Sequence, residues 1–399
     1  MRNVIPCREI QGIILLTGGM EDEWRKQCGI ALVGTGAMGR KYAEMLSSGK
    51  VARAELAAVC VRSEASYEWA KRELPGVRTA RSMEELFAEP DDYDAVLIAL
   101  PHKAHREAAL RAFALKKHVL CEKPVSAAIG EALQMQRAAE EIGVQYGIIF
   151  QQRTFPCYRK LKELLSQGTI GRLVRASYAS SQYYRTPWYH KSGSWRSSWE
   201  GEGGGALINQ AQHPLDIFQW LVGMPGEVYA KIAFGKYNDF LVEDEAHLLM
   251  EYENGMHGDF FFTTGEGVPV NRLELTGTKG KLMLDGERLI CFSHEDMEEY
   301  GSRVRVNSRE ELKIRQQEIS LEKAENAYEK VITNFVSAIL DGAPLLVPGS
   351  QGINSLILTN AAYLSAYKKE AVAIPPSPEE YEEFLRVVTA RENEKKRFG

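Results

Sequence analysis

The sequence is poor in cysteine, and its cysteines follow no recognisable pattern. Six cysteines are spread over 399 residues, and no two of them form a Cys-x-x-Cys pair. This spacing favours neither a disulfide framework nor a zinc site, and we expect no metal centre. Cys60 and Cys121 lie inside apolar runs, as small buried residues do. We expect the protein to reside in the reducing cytoplasm.

Long hydrophobic runs and a strong charge imbalance are also missing. No apolar run is long enough to span a bilayer, and the patch at residues 13–16 is too short for the core of a signal peptide. The formal net charge of -5 gives no reason to expect nucleic acid or an anionic membrane as a partner. The hydrophobic fraction of 44% is that of an ordinary globular protein.

The length of the chain predicts two domains, because 399 residues exceed the usual size of one core. We expect a disordered N-terminal extension over residues 1–26, or a translation start at Met20 that removes most of it. A nucleotide-binding domain over 27–150 and a second domain over 151–376 follow. Residues 377–399 are expected to form a charged C-terminal tail that frays from Arg391 onward.

The most informative motif is a glycine-rich turn between an apolar strand and a helix. Residues 30–33 read as a buried strand, and a GxGxxG pattern follows them. In a dinucleotide-binding fold these glycines allow a tight turn, close approach of the pyrophosphate, and close packing of helix on strand. The predicted cofactor contacts in this turn are Gly34, Gly36, Ala37, Met38 and Gly39.

Short apolar runs alternate with amphipathic stretches over the rest of residues 29–150. Repeated strand–helix units of this kind predict a doubly wound parallel sheet, a Rossmann fold, with right-handed crossovers. The further apolar runs lie at residues 56–61, 95–100, 118–121 and 146–150.

The pattern changes after residue 150 to strands with one polar face. Alternation of this kind predicts a C-terminal α/β domain with an open, mostly antiparallel sheet. Two amphipathic helices within residues 328–367 are expected to pack back on the first domain, the first of them ending at Gly342. The clearest alternating runs lie at residues 174–182, 227–234, 246–252 and 256–263.

Arg62 and Ser63 stand where the second predicted strand ends, the position that often selects the dinucleotide. An acidic residue there binds both ribose hydroxyls, but this chain has no carboxylate before Glu64. A guanidinium and a hydroxyl suit a 2′-phosphate, which slightly favours NADP over NAD. The alternative is that Arg62 is an ordinary solvated charge.

Glu122 and Lys123 follow the fourth predicted strand and precede Pro124. The strand delivers them to the carboxyl edge of the sheet, where doubly wound folds bind their ligands. A lysine there could act as a general acid or base if burial and a cationic neighbour lower its pKa. Taken alone, a lysine before a proline is more often a surface charge.

Three glycines at 203–205 precede Asn209, His213 and Asp216, whose spacings of four and three place them on one helical face. A histidine on that face could exchange the proton of a hydroxyl group, because its pKa lies near neutral pH. The alternative is a buried core histidine, with Asp216 capping or pairing locally.

In this order, the glycine turn, the Glu-Lys-Pro segment and the triple glycine with its histidine resemble the Gfo/Idh/MocA oxidoreductases. The resemblance covers residues 28 to 376 and includes the segment at 101–105 after the third predicted strand. It implies a Rossmann domain, a second domain that binds substrate and forms oligomer contacts, and NAD(P) as cofactor. Leu100, Pro101 and His105 are then expected to line the cofactor.

The resemblance also assigns roles at the reacting centre. Lys123 and His213 would handle the hydroxyl proton, and Glu122 would hold the nicotinamide ribose. Many members carry aspartate four residues before the histidine, whereas this chain has Asn209. An amide can hydrogen-bond a substrate hydroxyl but cannot take its proton, which leaves Lys123 and His213 as the catalytic pair.

The segment at residues 183–196 is dense in aromatic and cationic side chains. Flat rings and forked donors of this kind commonly hold sugars, but they are equally typical of a packed loop or a subunit contact. With Arg153 after the fifth strand, Asn209 and His213, the candidate substrate contacts are Tyr184, Arg185, His190, Trp195 and Arg196.

Together these observations predict an NAD(P)-dependent oxidoreductase that transfers a hydride between nicotinamide and a secondary alcohol of a sugar, cyclitol or sugar derivative. We expect a homo-oligomer, a dimer or tetramer, with a small-molecule substrate. One alternative is glycoside cleavage through transient oxidation and elimination. The other is a non-catalytic protein that senses the dinucleotide.

Overall fold

The computed structural model describes residues 27–398 except residues 182, 194, 306, 308, 310 and 311. The predicted N-terminal extension and the alternative start at Met20 therefore lie outside the described residues. None of the helices in the described part is long and apolar enough to cross a membrane.

A six-stranded parallel sheet forms the first domain. Its strands are β1 Cys28–Val33, β2 Ala54–Cys60, β3 Arg78–Ala80, β4 Ala95–Ile98, β5 His118–Glu122 and β6 Tyr146–Ile149. They are ordered β3-β2-β1-β4-β5-β6, and every pairing is parallel. Sequence analysis missed β3, since three residues are too short to show alternation. The predicted Rossmann fold is confirmed.

Helices cover both faces of this sheet, so alternate residues of β1 belong to two separate cores. Ala31 and Val33 pack on one side, and Ile30 and Leu32 on the other. The helices of the first domain are α1 Ala37–Ser47, α2 Glu64–Glu73, α3 Met83–Phe87, α4 His105–Ala114 and α5 Ile129–Ile142.

A nine-stranded sheet dominates the second domain. Its strands are β7 Leu173–Ser180, β8 Glu227–Phe234, β9 Glu243–Glu251, β10 His257–Thr263, β11 Asn271–Gly277, β12 Gly280–Asp285, β13 Arg288–Ser293, β14 Arg315–Ile319 and β15 Val372–Ala373. The order is β14-β13-β12-β11-β7-β10-β9-β8-β15, and only the β7–β10 pairing is parallel. Residues 246–251 of β9 alternate between buried and exposed. The predicted open, mostly antiparallel sheet is confirmed.

Nine α-helices are described after the first domain, namely α6 Pro156–Ser166, α7 Pro187–Lys191, α8 Ala206–Asn209, α9 Gln212–Val222, α10 Met297–Arg303, α11 Ala327–Asp341, α12 Gly349–Gly352, α13 Asn354–Lys368 and α14 Pro378–Phe398. Of these, α8, α9 and α13 lie against the nine-stranded sheet, and α11 lies against the first domain. Ile332 and Phe335 of α11 share a core with Leu32 of the first domain, and α11 ends at Gly342, which has a φ of 69°. α13 lies against α9 and β8 and also contacts α5 of the first domain, where the Asn360 side chain accepts a hydrogen bond from the Ile129 backbone N–H at 2.8 Å.

The C-terminal residues form a packed helix where we predicted a fraying tail. In α14, Tyr381 is fully buried and Phe384 is 4% exposed. Glu392 is also buried and accepts a hydrogen bond from the backbone N–H of Glu200 at 3.0 Å. The high charge of the segment concealed its short apolar stripe, which docks against α5 and α13.

Phe384→Ala should lower the free energy of unfolding by about 3 kcal/mol, because it leaves a cavity in a well-packed cluster. The Phe384 ring packs against Trp199 and Tyr381, with centroids 5.5 and 5.7 Å away. Urea unfolding measures the change. Glu383→Ala, at an exposed neighbour, is the matched control and should leave the midpoint unchanged. An unchanged midpoint for Phe384→Ala would contradict the docking of α14.

Candidate active site

The glycine turn after β1 has the shape that a dinucleotide phosphate needs. Gly34 has a φ of 99°, and a Cβ there would lie 2.4 Å from the carbonyl oxygen of Ala99. A Cβ at Gly39 would lie 1.9 Å from the Gly34 oxygen, whereas at Gly36 it would meet nothing within 4 Å. The open side of the turn thus lies at Gly36, where α1 begins, and it fits a pyrophosphate at the positive end of the helix dipole.

The other predicted cofactor contacts surround this turn, and they differ in exposure and in hydrogen bonding. Leu100 follows β4, and its Cδ2 lies 3.1 Å from the position of a Cβ at Gly34, with Pro101 exposed beside it. Arg62 is exposed at the end of β2. Ser63 caps α2 by accepting a hydrogen bond from the Ser66 backbone N–H at 3.2 Å.

His105 links two backbone segments through its ring nitrogens, and its role as a cofactor contact stays a prediction. It is fully buried, and its Nδ1 lies 2.9 Å from the carbonyl oxygen of Pro124. Its Nε2 lies 2.8 Å from the carbonyl oxygen of Leu100. Because both ring nitrogens are engaged by the backbone, His105 joins the loop after β4 to the segment after β5.

The carboxyl end of β5 places Glu122 and Lys123 between the two domains. Glu122 is buried and accepts hydrogen bonds from the Tyr42 hydroxyl and, at 3.1 Å, from the Lys123 backbone N–H. The Lys123 ammonium donates to the carbonyl oxygen of Asn209 at 2.9 Å. This contact holds the Lys123 ammonium against a helix end of the second domain.

Burial lowers the pKa of Lys123 below its ordinary value. The charges of Glu122 and Glu202 oppose this shift, whereas those of Arg185 and Arg196 reinforce it. The predicted surface-charge alternative for Lys123 is therefore disfavoured, since its amine is enclosed and surrounded by charged groups. A lowered pKa makes a neutral amine accessible, which can accept a proton.

His213 lies in α9 beside this lysine and keeps an unpartnered nitrogen. It is 8% exposed, packs edge-to-face on Phe150 at 5.7 Å, and has its Nε2 3.4 Å from Nε2 of Gln151. No described residue hydrogen-bonds its buried Nδ1. Burial and the positive charge of Lys123 hold its pKa well below the ordinary value, so the imidazole is neutral.

The helix predicted to carry Asn209, His213 and Asp216 on one face is divided in two. α8 ends at Asn209 and α9 begins at Gln212, so the simple spacing argument fails between them. Asp216 pairs with Arg153 at 2.6 Å, so its partner lies 63 residues away in the sequence and not in the local segment that the alternative named.

Arg153 is held in a buried ion pair, which disfavours its predicted role as a substrate contact. The guanidinium donates to both carboxylate oxygens of Asp216, at 2.8 and 2.6 Å, and to Oε1 of Gln351 at 2.7 Å. Both members of the ion pair are almost fully buried. A bidentate pair of this kind leaves no edge of the arginine open to substrate.

Sequence analysis missed Glu202, a buried carboxyl group next to Asn209. It is 2% exposed and accepts hydrogen bonds from the Asn209 side-chain amide and, at 2.6 Å, from the Ser197 backbone N–H. Burial raises its pKa to about 7. Its flanking glycines give no periodicity, so the only available signal was the missing carboxylate at position 209.

Most of the predicted substrate contacts in the aromatic segment at 183–196 lie in the same region. Arg185 and Arg196 lie over the ring of Tyr189, at 4.5 and 4.7 Å from its centroid. Trp195 packs edge-to-face on His102 at 5.5 Å, and Nδ1 of His102 donates to the Glu202 carbonyl oxygen at 3.2 Å.

The other two predicted residues of this segment are His190 and Tyr184. Nδ1 of His190 lies 2.5 Å from the Ser197 hydroxyl, and burial lowers the pKa of this histidine. Tyr184 is 54% exposed. Neither residue is thereby excluded from substrate contact, and both stay predictions.

Comparison with known proteins supports the same organisation. Residues 28–150 match the oxidoreductase family's NAD-binding Rossmann fold, and residues 162–374 match its C-terminal alpha/beta domain. A 1,5-anhydro-D-fructose reductase from Ensifer adhaerens is 28% identical over 301 residues, 74% of this chain and 84% of the relative. A scyllo-inositol 2-dehydrogenase (NADP(+)) from Bacillus subtilis is 25% identical over 77% of this chain and 86% of the relative.

Solved structures share the fold over nearly the whole chain. The WlbA dehydrogenase from Bordetella pertussis, in complex with NADH and UDP-GlcNAcA, superposes with a TM-score of 0.74 at 23% identity. The similarity covers 88% of this chain and 100% of that one. With both domains matched in order, the chain belongs to the Gfo/Idh/MocA family of oxidoreductases.

Proposed function

We propose that the protein is an NAD(P)-dependent dehydrogenase or reductase that acts on a secondary alcohol, or the matching ketone, of a sugar, cyclitol or related ring. The observation that carries this proposal is the Lys123 amine, fixed by Asn209 and electrostatically coupled to His213. The related enzymes named above act on an anhydrosugar and an inositol, which supports a ring-borne substrate.

Lys123 and His213 exchange the hydroxyl proton in this proposal. Both Lys123 and His213 have lowered pKa values because they are buried, so each has an accessible neutral form. The unpartnered Nδ1 of His213 offers a hydrogen-bonding position for the substrate hydroxyl. When bound, the nicotinamide supplies the acceptor or donor of the hydride. Glu122, fixed by Tyr42, is suited to hold a ribose hydroxyl near Lys123.

Asn209 carries no charge, so in this proposal Glu202 supplies the negative charge near Lys123. Its carboxylate opposes the lowering of the Lys123 pKa, and it stabilises the positive charge that Lys123 gains on accepting a proton. Glu202 acts through Asn209 and Lys123 and is therefore a positioning residue rather than a catalytic one. The hydrogen bond from the Asn209 amide orients its carboxylate.

Lys123→Met should reduce kcat by about 1,000-fold, because it removes the general acid–base group. NADH binding, followed by fluorescence titration, should stay within about twofold of the wild type. Lys50→Met, at an exposed lysine, is the control and should change neither quantity. A Lys123→Met enzyme with normal turnover would exclude the lysine from the reaction.

Alcohol oxidation should accelerate as the pH rises through about 7, the pKa of Glu202. Below that pH the carboxyl is protonated and neutral, so it cannot stabilise a charged Lys123. Glu202→Gln should remove this step from the profile of kcat/KM against pH and lower its upper plateau by about tenfold. Glu200→Gln, at an exposed neighbour, is the control. A step that persists in Glu202→Gln would contradict the assignment.

We also propose NADP as the preferred cofactor, with Arg62 on the 2′-phosphate. Its exposure at the end of β2 and the NADP dependence stated for the inositol relative support this preference. Arg62→Ala should raise the Kd for NADPH by about tenfold while leaving the Kd for NADH unchanged. Arg72→Ala, on the neighbouring helix, is the control. Equal effects on both dinucleotides would contradict the role of Arg62.

A further inference from the structure

Two arginines beside the proposed active site have no acidic partner. Among the described residues, no carboxylate lies within ion-pair distance of Arg185 or Arg196, although both are partly buried. The Nε of Arg185 is buried without a hydrogen-bond acceptor. A half-buried guanidinium with unmet donors is costly unless a ligand compensates it. Arg153, by contrast, is fully paired inside the same domain.

The guanidinium groups of Arg185 and Arg196 both pack against aromatic rings. Both guanidinium groups lie over Tyr189, and Arg196 also lies 4.5 Å from the centre of the Trp195 ring. The Tyr189 hydroxyl accepts hydrogen bonds from Arg196 at 2.9 Å and from the Gln210 side-chain amide at 3.3 Å. Stacking uses the face of a guanidinium and leaves its N–H edge for forked hydrogen bonds to an anion.

Arg185 and Arg196 share this region with Lys123 and with the carboxyl groups of Glu122, Glu202 and Asp244. Arg185 and Arg196 are close enough to Lys123 to lower its pKa. His190 and His213 both have lowered pKa values and add no charge of their own. The carboxyl groups of Glu122 and Glu202 are already engaged by other donors, as described above, and Glu202 is only partly ionised at neutral pH.

We infer that the substrate carries an anionic group, a carboxylate or a phosphate, which Arg185 and Arg196 bind while its ring alcohol lies at Lys123 and His213. This inference rests on the proposed function and adds the chemical class of the substrate. An anion between the two arginines would satisfy their open donors and offset the repulsion among the three cations.

Matched pairs of sugars test the inference on the complete protein loaded with NADPH or NADH. D-Glucuronate against D-glucose tests a carboxylate, and D-glucose 6-phosphate against D-glucose tests a phosphate. Titration calorimetry should show at least one anionic sugar binding about tenfold or more tightly than its neutral partner. The sugar pair with the larger difference in affinity identifies the anionic group as a carboxylate or a phosphate.

Arginine variants then locate the binding site. Arg185→Met and Arg196→Met should each weaken the binding of the anionic sugar by roughly 10- to 100-fold and leave the affinity for the neutral sugar unchanged. Arg196→Lys should recover part of the loss, because it restores charge without the forked geometry. Lys191→Met removes an exposed charge from the same segment and is the matched control.

Three results would overturn the inference: equal binding of charged and neutral sugars, equal loss of both in the arginine variants, or no binding of either anionic sugar. The proposed function fails separately. If an anionic sugar binds through the arginines but no ring alcohol or ketone in a broad panel exchanges a hydride with the cofactor, the anion site stands and the proposed reaction does not.

Discussion

The hydrogen bond from the Lys123 ammonium to the carbonyl oxygen of Asn209 is the contact on which the proposed site depends. Lys123 stands at the end of β5, at the edge of the sheet where a Rossmann fold receives its ligand. Asn209 ends α8 in the other domain, four residues before His213. This hydrogen bond of 2.9 Å holds the amine of one domain against the end of α8 in the other domain. Glu202 stabilises the same contact, because its carboxylate accepts a hydrogen bond from the Asn209 side-chain amide.

Burial determines how the charged groups around this contact are used. It lowers the pKa values of Lys123 and His213 and raises that of Glu202 to about 7, so all three move towards their neutral forms. Groups of this kind can exchange protons near neutral pH. Arg153 and Asp216 form a bidentate ion pair in the core, and the hydrogen bonds from Arg153 oppose the rise that burial causes in the pKa of Asp216.

The sequence alone predicted the fold and pointed to Lys123 because both depend on local order, and the catalytic roles of Lys123 and His213 stay predictions. A strand, a GxGxxG turn and a helix must be contiguous, and the lysine after β5 is delivered to the ligand edge by the strand itself. Contacts between distant segments were not predictable in this way. Nothing local distinguishes Arg153, paired with a residue of α9, from a surface arginine. Glu202 stands between glycines, and its burial depends on how residues 195–209 fold over the site.

A crystal structure of the protein with bound NADPH or NADH tests the central claim most directly. We expect the phosphates at Gly36, the ribose next to the nicotinamide at Glu122, and the nicotinamide ring beside Lys123 and His213, with one face open towards the 183–196 segment. A nicotinamide ring that lies away from Lys123, or a complex in which Lys123 and His213 face separate cavities, would contradict the account.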